Sequence, residues 1–106
     1  MIDEKRVEAA IAYYRDNADR YGQLVGLCKA LEQKRKVVHG QAFLYAQGTV
    51  AEREAKAHSS DAFKAVVEEI ENAWAEKATI EINLKKSETT VDVWRSQNSS
   101  KNKAHL

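Results

Sequence analysis

Apolar residues in the N-terminal half of the chain recur at alternating intervals of three and four positions. One row of positions consists of Val7, Ile11, Tyr14, Ala18, Tyr21, Val25 and Cys28. A second row, shifted by one position, consists of Leu24, Cys28, Leu31, Arg35, Val38, Ala42 and Tyr45. This spacing is typical of a helix packed along its length against another helix. With Asp3 as the N-cap, the pattern predicts one helix over residues 3–47.

Three glycines weaken this helix. Gly22, Gly26 and Gly40 each cost about 1 kcal/mol relative to alanine inside a helix. A break at residues 22–26 is therefore the main alternative to one continuous, bent helix. It would produce a monomer in which three helices cover one another.

Turn and cap signals follow the first helix. Gly48 is suited to end it, and residues 49–52 (Thr-Val-Ala-Glu) match the capping box that starts a new helical turn. Residues 59–61 (Ser-Ser-Asp) offer another N-cap just before Phe63. We therefore predict a short helical connector over residues 48–59.

The C-terminal half repeats the helical pattern with a strict alternation of four and three. Its row of positions consists of Val66, Ile70, Ala73, Lys77, Ile80, Leu84, Ser87, Val91 and Trp94. This row predicts a second long helix over residues 60–97. Residues 98–106 are polar and lack periodicity, so we predict a disordered tail there.

Charge patterning predicts how the two helices pair. Residues 29–39 carry four basic side chains and one acidic side chain, whereas residues 60–81 carry six acidic and two basic ones. An antiparallel hairpin that turns near residue 53 places these two blocks side by side, and it places the acidic start of the chain beside its basic end. At 1.5 Å per residue the helices are roughly 65 and 55 Å long. The predicted fold is all-α, a single domain over residues 1–106 that forms an elongated, coiled-coil-like antiparallel helical hairpin.

A two-helix hairpin covers only part of its apolar surface. Seven side chains exceed what one partner helix covers, namely Tyr13, Tyr14, Tyr21, Leu24, Leu27, Phe43 and Leu44. We therefore predict self-association into a homodimer that forms a four-helix bundle.

Composition narrows the classes of protein. The 106 residues include 17 Lys and Arg against 16 Asp and Glu, no proline and one cysteine. The missing proline fits uninterrupted helices, and the lone Cys28 excludes an internal disulfide. No apolar run approaches the roughly 20 residues of a membrane span, and the first residues lack the apolar core of a signal peptide. We predict a cytoplasmic protein of a bacterial host that does not bind a membrane.

No pattern of residues indicates catalysis. His39, His58 and His105 have no histidine or cysteine three or four positions away, so they are predicted to be solvated rather than metal ligands. Cys28 lies on both apolar rows and is predicted to be a core residue. A cluster of carboxylates is predicted to form a solvated face, namely Glu68, Glu69, Glu71 and Glu76. We predict no enzyme, no metal and no cofactor.

Two sets of residues are candidates for binding. The first set is Trp94, Arg95 and Gln97, because an aromatic side chain beside an arginine is the composition of a protein-interface hot spot. The second set is basic and would bind the phosphates of single-stranded DNA, though weakly at a net charge of +1. It consists of Lys34, Arg35, Lys36, Lys85 and Lys86.

One resemblance rests on the C-terminal half, over about residues 49–100. Four features carry it, in chain order. They are residues 51–57 (Ala-Glu-Arg-Glu-Ala-Lys-Ala), a Ser-Asp-x-Phe helix start, a long charged helix, and residues 91–98 (Val-Asp-Val-Trp-Arg-Ser-Gln-Asn). The chain resembles small helical proteins of tailed bacteriophages and prophages that end in a Val-Trp-Arg-(Ser/Thr)-Gln element. These are often encoded near recombination and replication genes. The resemblance implies a phage accessory or adaptor protein whose partner is a phage or host protein of DNA metabolism, and it transfers no active-site residue.

Overall fold

Three helices make up the computed structural model, which describes residues 1–104 and the side chains of residues 1–102. Helix α1 spans Glu4–Tyr45, α2 spans Val50–His58 and α3 spans Asp61–Ala104. No strand occurs within residues 1–104, so the all-α prediction is confirmed.

Helix α1 begins and continues as its sequence predicts. The Asp3 carboxylate caps it by accepting a hydrogen bond from the backbone N–H of Arg6 at 2.9 Å. The helix runs through Gly22 and Gly26 without interruption. The alternative of a break at residues 22–26 is therefore wrong. Helix formation is cooperative, so the backbone hydrogen bonds of the turns before and after the glycines outweigh the low helix propensity of glycine.

The connector contains one short helix between two caps. Gly48 has a positive φ of 120°, a conformation that favours glycine. The Thr49 hydroxyl then accepts from the backbone N–H of Glu52 at 3.2 Å and starts α2. At the next turn the Ser60 hydroxyl accepts from the N–H of Phe63 at 3.3 Å. Ser60 is thus the N-cap of α3 among the three candidates at 59–61.

Helix α3 is longer than its sequence predicts. It continues over residues 98–104, where we predicted the start of a disordered tail. Asparagine and serine are mediocre helix formers, but this segment contains neither glycine nor proline to end the helix. Residues 105 and 106 of the predicted tail lie outside the described residues.

The chain divides into two compact units. The first joins Met1–Gly22 to the chain from Ala78 onward. Within it α1 and α3 run antiparallel, and the N–H of Ile2 donates to the Gln97 Oε1 at 3.2 Å. Its buried side chains are Val7, Ala10, Ile80 and Ser87.

One predicted core position of the first unit is wrong. Ile11 was placed on the buried row, yet it is 51% exposed, whereas its neighbour Ala10 is only 8% exposed. Tyr14, on the same predicted row, is 43% exposed. Ala10 and the buried Ser87 line the same two grooves. Two small side chains at this position allow the two helices to approach closely, and the larger Ile11 is left at the surface.

The second unit is Gln23–Lys77. It contains a core cluster of Cys28, Leu31 and Ala73, with Ile70 packed against it. Leu24 and Val66 are fully buried. Leu24 was predicted to remain exposed unless a second copy of the chain covered it. This prediction is wrong, because a single chain already buries Leu24. Leu44, from the same set, is 72% exposed.

Burial along α3 follows the predicted row. Val66 and Ala73 are buried in the second unit, and Ile80 and Ser87 are buried in the first. These residues recur every seven positions, which is the period of a helix packed lengthwise against a neighbour. The row predicted for α3 is therefore confirmed at these four positions.

The two charge blocks meet in the second unit. Lys34 on α1 and Glu69 on α3 form an ion pair at 3.1 Å, which places the basic block beside the acidic one as the antiparallel arrangement predicts. None of the helices over residues 1–104 has both the length and the apolar character that a bilayer crossing requires.

Candidate functional site

An open groove runs between α1 and α3 in the first unit. Its volume is about 490 Å³. The buried Ala10 and Ser87 form its floor, and the exposed Ile11 and Tyr14 border it with Val91. Four exposed charged side chains complete the lining, namely Arg15, Glu88, Asp92 and Arg95. We call this the Ile11–Arg95 groove.

The predicted partner-binding residues have three different environments. Arg95 is exposed and lines the Ile11–Arg95 groove. Trp94 is half-buried and does not line it. The Gln97 side chain accepts the hydrogen bond from Ile2. Sequence reasoning missed Ile11 as a surface residue because its helical spacing suggested a core position, whereas Tyr14 was among the side chains predicted to remain uncovered by one partner helix.

A basic surface occupies another part of the first unit. One groove there is lined by Arg6, Lys85 and Lys86 with Ile82, Thr89 and Thr90. An adjoining groove shares Arg6, Lys86 and Thr90 and adds Tyr13 and Asn83. Among the described side chains that line these grooves, none is a carboxylate. We call this surface the Arg6–Lys86 face.

The predicted basic patch of the second unit is partly neutralised. Lys34 pairs with Glu69, and Arg35 lies 3.7 Å from the carboxylate of Glu32. On the first unit Lys85 lies 3.8 Å from Glu81. The five predicted nucleic-acid contacts therefore belong to two different units, and several of them already have acidic neighbours.

Two histidines and a glutamate form a compact cluster in the second unit. Nε2 of His39 lies 3.0 Å from Oε2 of Glu54, and Nδ1 of His58 lies 3.7 Å from the same oxygen. One nitrogen of each imidazole and one carboxylate oxygen are all within 4.8 Å of one another. We call these three residues the His–Glu cluster.

Backbone position explains two of the three residues of the His–Glu cluster. Glu54 and His58 are one turn apart on α2, so they share a face. Nδ1 of His58 also lies 2.9 Å from the backbone oxygen of Glu54. Since that oxygen only accepts, Nδ1 carries the proton in this contact.

Contacts at the end of α1 hold α2 close to His39. Nε of Arg53 donates to the carbonyl oxygen of Phe43 at 3.1 Å. Nζ of Lys56 donates to the carbonyl oxygen of Gln47 at 2.6 Å. The first bond holds α2 beside the last turn of α1, and the second holds it to the segment just after α1, which brings Glu54 to His39.

Aromatic packing completes the surroundings of the cluster. The rings of His39 and His58 meet edge to face at 4.7 Å, and the Phe63 ring lies 5.8 and 5.2 Å from them. Arg35 and Lys36 line the same open groove of about 410 Å³. The two histidines thus contact an aromatic ring and share a groove with two cations.

His39, which is predicted to be solvated, is half-buried and lines an open groove. Only 26% of its side chain is exposed, against 60% for His58. Sequence spacing gives little sign of the cluster, because His39 lies 15 positions before Glu54. His105 lies outside the described residues. Cys28 is buried, which confirms its prediction as a core residue.

No protein family, curated protein or solved structure matches this chain.

Proposed function

We propose that this protein is a non-enzymatic phage accessory or adaptor protein. It acts as a homodimer that binds a phage or host protein of DNA metabolism. The Ile11–Arg95 groove is the observation that carries the proposal, since it exposes large apolar side chains beside a balanced set of charges. The setting in DNA recombination or replication rests on the resemblance of residues 91–98 to phage proteins.

The groove has the chemistry of a helix-packing surface. Ile11 and Tyr14 are exposed beside the buried Ala10 and Ser87. Burying apolar area is worth about 25 cal/mol per Å², so covering these side chains favours association. A groove between two antiparallel helices accepts further helices by the ridges-into-grooves packing of helical bundles.

The charges around the groove favour a second copy of this chain as its occupant. Arg15 and Arg95 are matched in number by Glu88 and Asp92. In a two-fold symmetric dimer the same surface meets itself, so a surface that carries both signs is able to pair its cations with the partner's anions. The result is the four-helix bundle that the leftover apolar surface predicts.

Light scattering after size-exclusion chromatography tests the dimer. We expect a mass twice that of the 12.0 kDa chain, and a single-chain mass for Ile11→Glu because a buried carboxylate opposes association. Val37→Glu is the matched control, since Val37 is also an exposed residue of α1 but belongs to the second unit. A single-chain mass for the wild type, or equal dissociation of both variants, contradicts the proposal.

A second experiment tests the adaptor role. Proteins captured from infected or lysogenic cells are identified, purified and titrated against the wild type and against Trp94→Ala, because Trp94 does not line the Ile11–Arg95 groove. We expect a protein of DNA metabolism whose affinity falls at least about 10-fold in this variant, as for interface hot spots. Unchanged affinity of Trp94→Ala, with the dimer mass retained, removes the contact assignment.

The Arg6–Lys86 face favours a second candidate function, binding of single-stranded DNA. Arg6, Lys85 and Lys86 supply cations for phosphates, and Tyr13 supplies a ring on which a base stacks. Affinity for a short single strand is then expected to fall steeply with salt. Lys86→Gln should flatten the log–log salt slope by about 0.7, the value for one phosphate contact. Lys29→Gln, an exposed lysine of the other unit, should leave it unchanged.

A further inference from the structure

The geometry points to a metal site at the His–Glu cluster. We propose that His39, Glu54 and His58 bind one divalent transition-metal ion of the zinc class. The inference is independent of the adaptor role, because it rests only on contacts within the second unit.

The donor set fits this class of ion. Two imidazole nitrogens and one carboxylate oxygen are the three protein ligands of many zinc sites that keep a fourth position open. Hard cations such as Mg²⁺ and Ca²⁺ prefer all-oxygen surroundings. A cluster with two nitrogens and a single carboxylate therefore selects Zn²⁺ over Mg²⁺.

The spacing of the donors also fits. Zinc bonds of about 2.0–2.1 Å in tetrahedral geometry separate neighbouring ligand atoms by about 3.3 Å. The carboxylate oxygen of Glu54 lies 3.0 Å from Nε2 of His39 and 3.7 Å from Nδ1 of His58. These distances lie on either side of the required value. All three donor atoms lie within 4.8 Å of one another, so side-chain shifts of up to about 1.5 Å bring every separation to this value. To bind a metal, Nδ1 of His58 gives up the proton that it donates to the backbone oxygen of Glu54, 2.9 Å away.

The three ligands are held in place before an ion arrives. Glu54 and His58 are one turn apart on α2, the same i, i+4 spacing that places two ligands on one helix face in metalloproteases. Arg53 joins α2 to the last turn of α1, Lys56 joins it to Gln47 just after α1, and α1 carries His39. Preorganisation of this kind lowers the entropy that binding would otherwise lose.

The neighbours of the cluster determine which kind of fourth ligand the metal ion would bind. Arg35 and Lys36 line the groove that His39 and His58 also line. These cations oppose a bound ion, and the carboxylate of Glu32 near Arg35 offsets part of that repulsion. The same cations favour an anion, such as a carboxylate or a phosphate oxygen, as the fourth ligand.

Titration of the full-length protein with Zn²⁺ alone, in competition with a chromophoric chelator, tests the site. We expect one ion per chain. His39→Gln, His58→Gln and Glu54→Gln should each weaken binding by at least about 10-fold, since even loss of a residue that only orients a ligand weakens metal binding 10–100-fold. Mg²⁺ should not compete.

Two controls keep the test specific. Glu71→Gln removes another exposed carboxylate of the second unit, and His105→Ala removes the one histidine that the cluster does not include. Both should bind Zn²⁺ within about twofold of the wild type. Equal affinity of the wild type and the three cluster variants, or loss of binding in His105→Ala, overturns the proposal.

A second measurement guards against variants that fail to fold. Circular dichroism at 222 nm reports whether each variant keeps its helices, and the midpoint of thermal unfolding is measured with and without Zn²⁺. Because a ligand that binds only the folded state raises this midpoint, the wild type should show a rise that a folded His58→Gln variant lacks. The same rise in that variant overturns the site.

Discussion

Arg53 covers the ring of Phe43 and also binds its backbone. The guanidinium carbon lies 4.2 Å from the ring centroid, and Nε donates to the Phe43 carbonyl oxygen at 3.1 Å. Helix α1 has no basic side chain in its own last turn. Arg53 on α2 therefore supplies the cation that stabilises the negative end of the α1 dipole.

We expect Arg53→Met to lower the free energy of unfolding by about 1–2 kcal/mol. Methionine keeps much of the apolar stem but removes a charged hydrogen bond and the cation–π contact. Urea unfolding followed by circular dichroism measures the change. Lys29→Met is the control, because Lys29 is an exposed side chain of α1 in the same unit and surface substitutions usually change stability by less than about 0.5 kcal/mol. Equal losses in the two variants contradict the role of Arg53.

Substituting alanine for two different glycines should give opposite results. Gly48 has φ near 120°, and an added Cβ would lie 3.1 Å from the Cβ of Glu52. We expect Gly48→Ala to destabilise the protein by about 1–3 kcal/mol. Gly26→Ala has open space inside α1 and should stabilise it by about 0.5–1 kcal/mol. The midpoint of thermal unfolding should fall for Gly48→Ala and rise for Gly26→Ala. A higher midpoint for Gly48→Ala would contradict the positive φ at Gly48.

Among the described residues, Leu24 and Val66 have the largest fully buried side chains. Leu24→Ala should lower the free energy of unfolding by about 2–5 kcal/mol, through lost burial and the cavity left behind. Leu44→Ala provides the matched control, since Leu44 is largely exposed, and it should change stability by less than about 0.5 kcal/mol. Denaturant unfolding of both variants decides. A small loss for Leu24→Ala would show that this residue is not in the core.

The pair between Lys34 and Glu69 tests the antiparallel register. Lys34→Glu places two carboxylates opposite each other and should be destabilising, whereas Lys34→Glu with Glu69→Lys restores opposite charges. A double-mutant cycle should return a coupling of about 0.2–1 kcal/mol, as for exposed ion pairs, and 1 M NaCl should reduce it. A coupling of zero at low salt would contradict the pairing.

Periodic burial was predictable from the sequence along α3. Val66, Ala73, Ile80 and Ser87 all lie on the predicted row and are all buried. In α1 the prediction was wrong at Ile11, because helical spacing placed this large residue on the same row as Val7, whereas its neighbour Ala10 is the buried one. The choice depended on the small Ser87 from α3, and spacing within one helix carries no information about the opposing helix.

The His–Glu cluster was not predictable from spacing. The sequence shows that Glu54 and His58 are four positions apart. A glutamate and a histidine at that interval also occur often by chance, so the pair alone does not indicate a site. The third member, His39, joins them because Gly48 and the caps at Thr49 and Ser60 set the direction of α2. Tertiary placement of this kind depends on turn geometry, which hydrophobic periodicity does not encode.

The hydrogen bond from Ile2 to Gln97 has a consequence for the order of folding. It joins residues 95 positions apart, whereas Lys34 and Glu69 are 35 apart and His39 and Glu54 are 15 apart. Closing the longest of these loops from an open chain costs roughly 0.9 kcal/mol more entropy than closing the 35-residue loop. The contact between Lys34 and Glu69 in the second unit is therefore less costly in chain entropy to form from the unfolded chain than the contact between Ile2 and Gln97 in the first unit.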